Sequence, residues 1–395
     1  MKTVYMDNNA TTRVAPEVFE AMQPFFTDRY GNPSSMHSFG GSVARDLADA
    51  RARLAELLGA SVQEIVFTSG GTESDSTAIL SALETQPDRR EIVTTRVEHP
   101  AVLNLCKHLA RDRGYTVRWL SVDKEGMLDL EQVRSVISDR TAVVSVMWAN
   151  NETGVIYPVV EIAEIAREHG ALMHTDAVQV VGKVPLDLRS TNINFLALSG
   201  HKFHGPKGIG ALYVKRGTRF SPFVVGGHQE SSRRGGTENV PGIVGIGQAA
   251  KLAGENLESE NIRVKALRDR LQDGLLQAIP SSHLNGNAES RLPNTLNIGF
   301  EFVEGEAILM RMDDKGICAS SGSACTSGSL EPSHVLRAMG VPFTAVHGSI
   351  RFSLSRYNTE EEVEFVIAEL PNIIGTLRAM SPFGRENLDA VCTVQ

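Results

Sequence analysis

The sequence predicts an α/β protein, with a mostly parallel sheet covered by helices on both faces and a smaller C-terminal α+β domain. Three observations carry this. Between residues 64 and 215, β-branched runs recur without the polar alternation of a half-exposed strand, as strands buried on both faces do. Amphipathic stretches separate them, as the crossovers of a parallel sheet require. At 395 residues and 42% apolar composition the chain exceeds one ordinary domain and can bury a sizeable core.

The elements follow in order. "EIVFTS" (64–69) reads as a strand, then a Gly-Gly turn opens the helical "ESDSTAILSAL". "EIVTTRVEH" (91–99) is the next strand; Pro100 at a first helical position and Gly114 as a stop bound "AVLNLCKHLARDRG" between them. "YTVRWLSV", "TAVVSVMW", "ALMHTD", "INFLALS" and "IGALYVK" continue the strands, with "PVVEIAEIAREHG" as the clearest intervening helix. From about residue 256 the texture changes to a long charged helix ("SENIRVKALRDRLQDGLLQAI"), strands near 294–300 and 348–354, and a last helix from Thr359. The expected division is an N-terminal segment (1–15) packing on the small domain, a large domain (16–255) and a small domain (256–395).

Composition excludes several classes. A net charge of −8 with no Lys/Arg-rich block argues against a general binder of nucleic acid or anionic membranes. "MKTVYMDNNATT" reaches Asp7 and two asparagines before any signal-peptide core can form, and no run approaches the eighteen apolar residues of a membrane span. The expected location is the cytoplasm. Cys106, Cys318, Cys325 and Cys392 include no C-x-x-C pair, which suits a reducing compartment better than a disulfide framework or structural zinc.

Open α/β sheets bind ligands outside the carboxyl ends of their strands, where this chain keeps its unusual polar residues. Thr68-Ser69-Gly70-Gly71-Thr72-Glu73 opens a helix, offering free N–H groups and the positive end of a dipole to a phosphate, although such a turn alone is more often only a turn. "ALMHTDAVQ" ends a buried strand on Asp176 with Gln179 three residues on; taken singly, Asp176 reads equally well as a helix cap. His99, just before Pro100, reads singly as a capping or packing histidine, and Asn150-Asn151 as a plain turn. Lys202, in "ALSGHKFHGPKGIGALYV", is harder to explain structurally. A buried lysine becomes a usable amine nucleophile, and Ser199 and His201 beside it offer donors to a phosphate. Pyridoxal 5′-phosphate needs an amine for its aldehyde, a carboxylate for its pyridinium nitrogen and a phosphate cradle, so one cofactor satisfies the whole set.

"YMDNNATT", "GNPSSMH", "FTSGGTES", "EHPAVL", "NNETG", "HTDAVQ", "SGHKFHGPKGIG", "RRGGTENV" and "SSGSACTSG" together resemble the cysteine desulfurases of the NifS/IscS class, from residue 4 to about 380. The ending "ENLDAVCTVQ" lacks the tail of the housekeeping IscS members, which leans toward the nitrogen-fixation NifS type. The resemblance implies the type I fold of pyridoxal-phosphate transferases (aspartate-aminotransferase-like) and a homodimer with its active site at the subunit interface. It implies Lys202 as the lysine joined to the cofactor aldehyde, Asp176 at the pyridine nitrogen, Gln179 at the phenolic oxygen, and His99 stacked on the ring and moving protons. Gly71, Thr72, Ser199 and His201 match phosphate-contacting positions, with Thr237 reaching over from the other subunit. Asn151 and Arg351 match the seat of the substrate carboxylate. In "SIRFSLS" the arginine alternates with Ile350 and Phe352, so unaided it reads as a solvent-exposed residue on the polar face, though a guanidinium is also the best carboxylate clamp available.

Cys325 lies in "CASSGSACTSGSLEPS", whose composition predicts a mobile loop, so its thiol is not there for packing. Cys318 and Cys106 read as core and Cys392 as part of a frayed tail. With the resemblance, Cys325 takes sulfur from L-cysteine, leaving L-alanine and an enzyme persulfide. An unperturbed thiol is only a few per cent ionised at neutral pH, so a base such as His99 or the substrate amine should assist. The implied acceptor is an iron–sulfur scaffold protein, where Cys325 would transiently ligate the cluster. An aminotransferase of the same fold would keep Lys202 and Asp176 without needing Cys325. A selenocysteine lyase would prefer selenocysteine, and a non-catalytic cluster carrier would leave Lys202 idle.

Overall fold

The computed structural model describes residues 3–321 and 332–381. Seven strands form the large sheet: β2 (Ile65–Thr68), β3 (Glu91–Thr95), β4 (Thr116–Leu120), β5 (Thr141–Ser145), β6 (Leu172–Asp176), β7 (Phe195–Ser199) and β8 (Gly210–Val214). Their spatial order is β2-β8-β7-β6-β5-β3-β4. Only β8 runs antiparallel to its neighbours; the remaining pairs are parallel.

Both faces are covered, as the unbroken apolar runs require. Val66, Ile92, Val143, Phe195 and Leu212 face Ala78, Ile79, Val102 and Cys106 of the helices Gly71–Thr85 and Pro100–Arg113. Ile65, Phe67, Val93, Val144, Met173 and Leu196 point the other way, into a larger core shared with helices Ser38–Leu57 and Val159–Glu168. Alternate residues of one strand thus serve two cores.

A separate core holds the C-terminal elements. β9 (Ser282–Leu284), β10 (Thr295–Phe300) and β12 (Ser349–Ser353) form an antiparallel sheet, order β12-β10-β9, backed by the last helix, Glu360–Met380. That helix opens on a capping box of Thr359 and Glu362. β1 (Val4–Tyr5) pairs in parallel with β11 (Ile317–Cys318), and Val4 and Met6 enter this second core.

The long helix extends further than its charged stretch predicts. It runs Val240–Ala278, through the expected boundary at 255/256. Ile243, Ile246, Ala249, Ala250 and Ala253 pack into the large core, while Val264, Leu267, Leu271 and Leu275 pack into the small one. One continuous rod is shared by both cores. Among the described residues, no helix is long and apolar enough to cross a membrane.

Candidate active site

The carboxyl ends of β6 and β7, the start of the Gly71–Thr85 helix and the turn after β5 surround one cavity of about 370 Å³. That is within the range of small-molecule sites. Its lining includes Gly71, Thr72, His99, Asn151, Asp176, Gln179, Ser199, His201, Lys202 and Arg351. Ten residues singled out in the sequence therefore converge, from segments scattered over the chain. Thr237 does not join them in this chain: it is exposed, although Arg234, three residues before it, bonds Glu73 of the Gly71–Thr85 helix at 2.9 and 3.2 Å. Cys325 and Cys392 lie outside the described residues.

Lys202 follows β7 in a 3₁₀ turn, Gly200–Lys202. Its Nζ donates to the carbonyls of Asn9 at 2.5 Å and Ala10 at 2.9 Å. The N-terminal segment thus roofs the cavity, and Gln179 Nε2 reaches the same Asn9 carbonyl at 2.9 Å. His201 Nδ1 meets Thr11 Oγ1 at 3.1 Å; burial and the neighbouring lysines hold its pKa down to about 4, so the ring is neutral at physiological pH.

Asp176 ends β6 with only 6% of its surface exposed. Its Oδ1 accepts from Val178 N at 2.9 Å. Burial raises its pKa, opposed by the His99 and Lys202 charges. His99 caps the next helix, Nδ1 accepting from Ala101 N at 3.2 Å, which puts the proton of the neutral ring on Nε2. Burial lowers its pKa as well. Asn150 takes the structural half of its pair, Oδ1 accepting from Glu152 N and Thr153 N, and leaves Asn151 to line the cavity.

Arg351 departs from the exposed position that alternation alone suggests: it is 2% exposed. The polar face of β12 is covered by the N-terminal segment and the turn after β5. Arg351 Nη2 donates to Asp7 Oδ1 at 2.7 Å and Nη1 to the Asn151 carbonyl at 3.0 Å, while Nε has no hydrogen-bond partner among the described residues. Cys106 is fully buried, but Cys318 is only partly so, less than a core residue. The sequence alone assigns no role to Asp7 or Asn9 of "YMDNNATT". Their signal was the polar triplet Asp7-Asn8-Asn9 directly after Met6.

These residues fit pyridoxal phosphate. A Cβ on Gly71 would come within 2.7 Å of Val178 Cγ2, so the helix start is bare backbone, and its first N–H groups open on the cavity. A carboxylate and an amine, Asp176 and Lys202, line the same space.

A family model described as "Aminotransferase class-V" matches residues 4–366. This chain belongs to the class-V aminotransferase family. Class-V aminotransferases use pyridoxal phosphate, the group the cavity fits. The chain is 61% identical over 384 residues to a protein of Gluconacetobacter diazotrophicus named "Cysteine desulfurase", covering 97% of this chain and 96% of that one. It is 58% identical over 388 residues to "Cysteine desulfurase NifS" of Azotobacter vinelandii, covering 98% and 96%. Among solved structures, one titled "NIFS-LIKE PROTEIN" superposes with a TM-score of 0.89 at 39% identity, over 95% of this chain and 100% of that one. The fold is therefore that of the type I pyridoxal-phosphate enzymes. Among the described residues, no group of three or more His, Cys, Asp or Glu could hold a metal ion.

Proposed function

We propose that this class-V aminotransferase is a cysteine desulfurase that removes sulfur from L-cysteine, giving L-alanine and a persulfide on Cys325. The observation that carries the reading is the gathering of Lys202, Asp176, His99, Gln179 and a bare helix N-terminus around one cavity, in a chain so similar to proteins named cysteine desulfurase. Pyridoxal phosphate supplies an aldehyde that condenses with amines and a pyridinium ring that accepts the electrons released at a substrate α-carbon.

The chain's residues do the rest. With the cofactor bound, Lys202 Nζ would bond its aldehyde carbon and, once the substrate amine has displaced it, would carry the substrate α-proton. Asp176 would keep the ring nitrogen protonated, Gln179 would serve the phenolic oxygen, and His99 would cover the cofactor and shuttle protons. Gly71, Thr72, Ser199 and His201 bind the phosphate, and Asn151 and Arg351 hold the substrate carboxylate. The Cys325 thiolate bonds to the substrate sulfur as the Cβ–S bond breaks; the electron pair left on Cβ takes up a proton and becomes the methyl of alanine. Described residues on either side of Cys325 in the sequence meet the substrate seat. Ser320 exchanges backbone hydrogen bonds with Arg351 at 3.1 and 2.6 Å, and Ser333 Oγ donates to Glu152 Oε2 at 2.5 Å.

We further propose a homodimer. Phe19, Phe26, Tyr30 and Met36 are 60%, 63%, 70% and 104% exposed, an apolar surface suited to a second copy, whose Thr237 would complete the phosphate seat. The sulfur acceptor in this reading is an iron–sulfur scaffold protein in the cytoplasm, with Cys325 a transient cluster ligand and nitrogenase maturation as the NifS-type role.

The test is release of alanine and sulfide from L-cysteine, with dithiothreitol to reduce the persulfide, by wild type, Lys202→Ala and Cys325→Ala side by side. Wild type should yield both products equally, and each variant should lose at least about a hundredfold in rate. Undiminished consumption of L-cysteine by Cys325→Ala without release of sulfide would leave an aminotransferase-type reaction instead. A strong preference for selenocysteine would indicate the lyase.

A further inference from the structure

Beneath the cavity lies a polar group that the reaction above does not use. His174 and Asp176 alternate on β6 and therefore point to the same face of the sheet. The Gly71–Thr85 helix crosses that face, and Asp75, one turn past Gly71, lines the cavity with Asp176. Asp75 is 1% exposed and His174 0%. Asp75 Oδ1 and His174 Nε2 face each other at 3.3 Å, and neither atom makes a hydrogen bond among the described residues. The other side of the imidazole is fixed, since Nδ1 meets Ser145 Oγ at 2.8 Å across the β5–β6 pair.

We propose that Asp75 and His174 are positioning residues for Asp176, fixing the single negative charge of this group on the carboxylate that meets the cofactor's ring nitrogen. The inference rests on the pyridoxal-phosphate reading of the site. Two buried carboxyls share the cavity floor, and a third, Glu98, lies near them and is itself held protonated by burial. The cations and imidazoles that face this floor are Lys202 and His99, and both favour the ionised form of Asp176. Asp75 has no such support: burial first, and then the charge on Asp176, hold it protonated. His174 is neutral, its pKa driven down to about 3 by burial, so it packs against Asp75 as a neutral ring and not as a counter-ion. A neutral Asp75 leaves Asp176 as the one anion for a pyridinium N–H, and the imidazole held by Ser145 keeps the Asp75 carboxyl in place.

The test uses purified holoenzyme of wild type, Asp75→Asn, Asp75→Ala and His174→Gln. Each is scored for the pH midpoint of the bound cofactor's visible absorbance, the rate of cofactor release and thermal unfolding. Asp75→Asn, a neutral isostere, should keep the wild-type midpoint within about 0.3 pH unit. Asp75→Ala and His174→Gln should shift the midpoint by more than about 0.5 unit and release cofactor about tenfold faster, the scale of one orphaned buried polar group. A shifted midpoint in Asp75→Asn would mean that Asp75 is ionised and would overturn the proposal; that variant decides the matter even if Asp75→Ala fails to fold. Wild-type midpoints and release rates in His174→Gln, whatever its thermal stability, would overturn it equally. A wild type that binds no pyridoxal phosphate is the separate failure of the functional reading.

Discussion

Several side chains at this site satisfy the backbone and face the cavity at once. His99 caps a helix through Nδ1 and lines the cavity with the rest of its ring. Asp176 accepts one backbone N–H and keeps its carboxylate on the cavity wall. This is why each reads as ordinary structure when its stretch of sequence is taken alone: the local hydrogen bond is real, and the second role exists only where distant segments meet. Arg351 is the reverse case. Strand alternation places it on the correct face, but what covers that face is Asp7, 344 residues away. With its charge partnered on one side and Nε without a hydrogen-bond partner among the described residues, Arg351 is primed for a carboxylate. Arg351→Ala should raise the KM for L-cysteine at least about tenfold, the scale of a lost charge-assisted hydrogen bond. Asp7→Asn should raise it less, with kcat little changed. Steady-state kinetics on both variants checks this, and an unaltered KM in Arg351→Ala would remove the arginine from the substrate seat.

At the scale of elements, the strands and crossovers were legible because burial on both faces writes itself into unbroken apolar runs. The first half of the Val240–Ala278 helix was not, because "VPGIVGIGQAA" carries three glycines that propensity disfavours. Packing of that stretch into the large core overrides the local preference. The pairing of β1 with β11 was equally hidden, since two-residue strands have no periodicity to read. The glycines around Lys202 were legible as a tight turn, but not their purpose. A Cβ on Gly210 would come within 2.5 Å of the Leu198 carbonyl and 2.7 Å of Gly70 Cα, so β8 presses directly on the turn that opens the Gly71–Thr85 helix. Gly210→Ala should therefore cost about 1–3 kcal/mol in urea unfolding and weaken pyridoxal-phosphate retention as well. Gly41→Ala, whose Cβ meets nothing within 4 Å, is the control and should do neither.

At the scale of the whole molecule, two consequences follow from burial. Glu98 is fully buried, its Oε2 has no hydrogen-bond partner among the described residues, and its carboxyl is pushed up to about 8 by desolvation. The folded chain thus holds a proton that the unfolded chain releases above about pH 4.5, and stability should fall as pH rises from there toward 8. Glu98→Gln should flatten that fall by more than about 1 kcal/mol between pH 5 and pH 8, measured by denaturant unfolding. A slope equal to wild type would show that Glu98 is ionised in the fold. The apolar surface around Phe19, Phe26 and Tyr30 makes the second expectation: light scattering at micromolar concentration should give twice the chain mass of 42.8 kDa.

The central claim is that the cavity holds pyridoxal phosphate on Lys202, and peptide mapping after borohydride reduction tests it most directly. Reduction should bleach the yellow holoenzyme and leave a phosphopyridoxyl group on the peptide carrying Lys202 and on no other lysine. A label on Lys183 or elsewhere, or none on a protein that still consumes L-cysteine, would contradict the account.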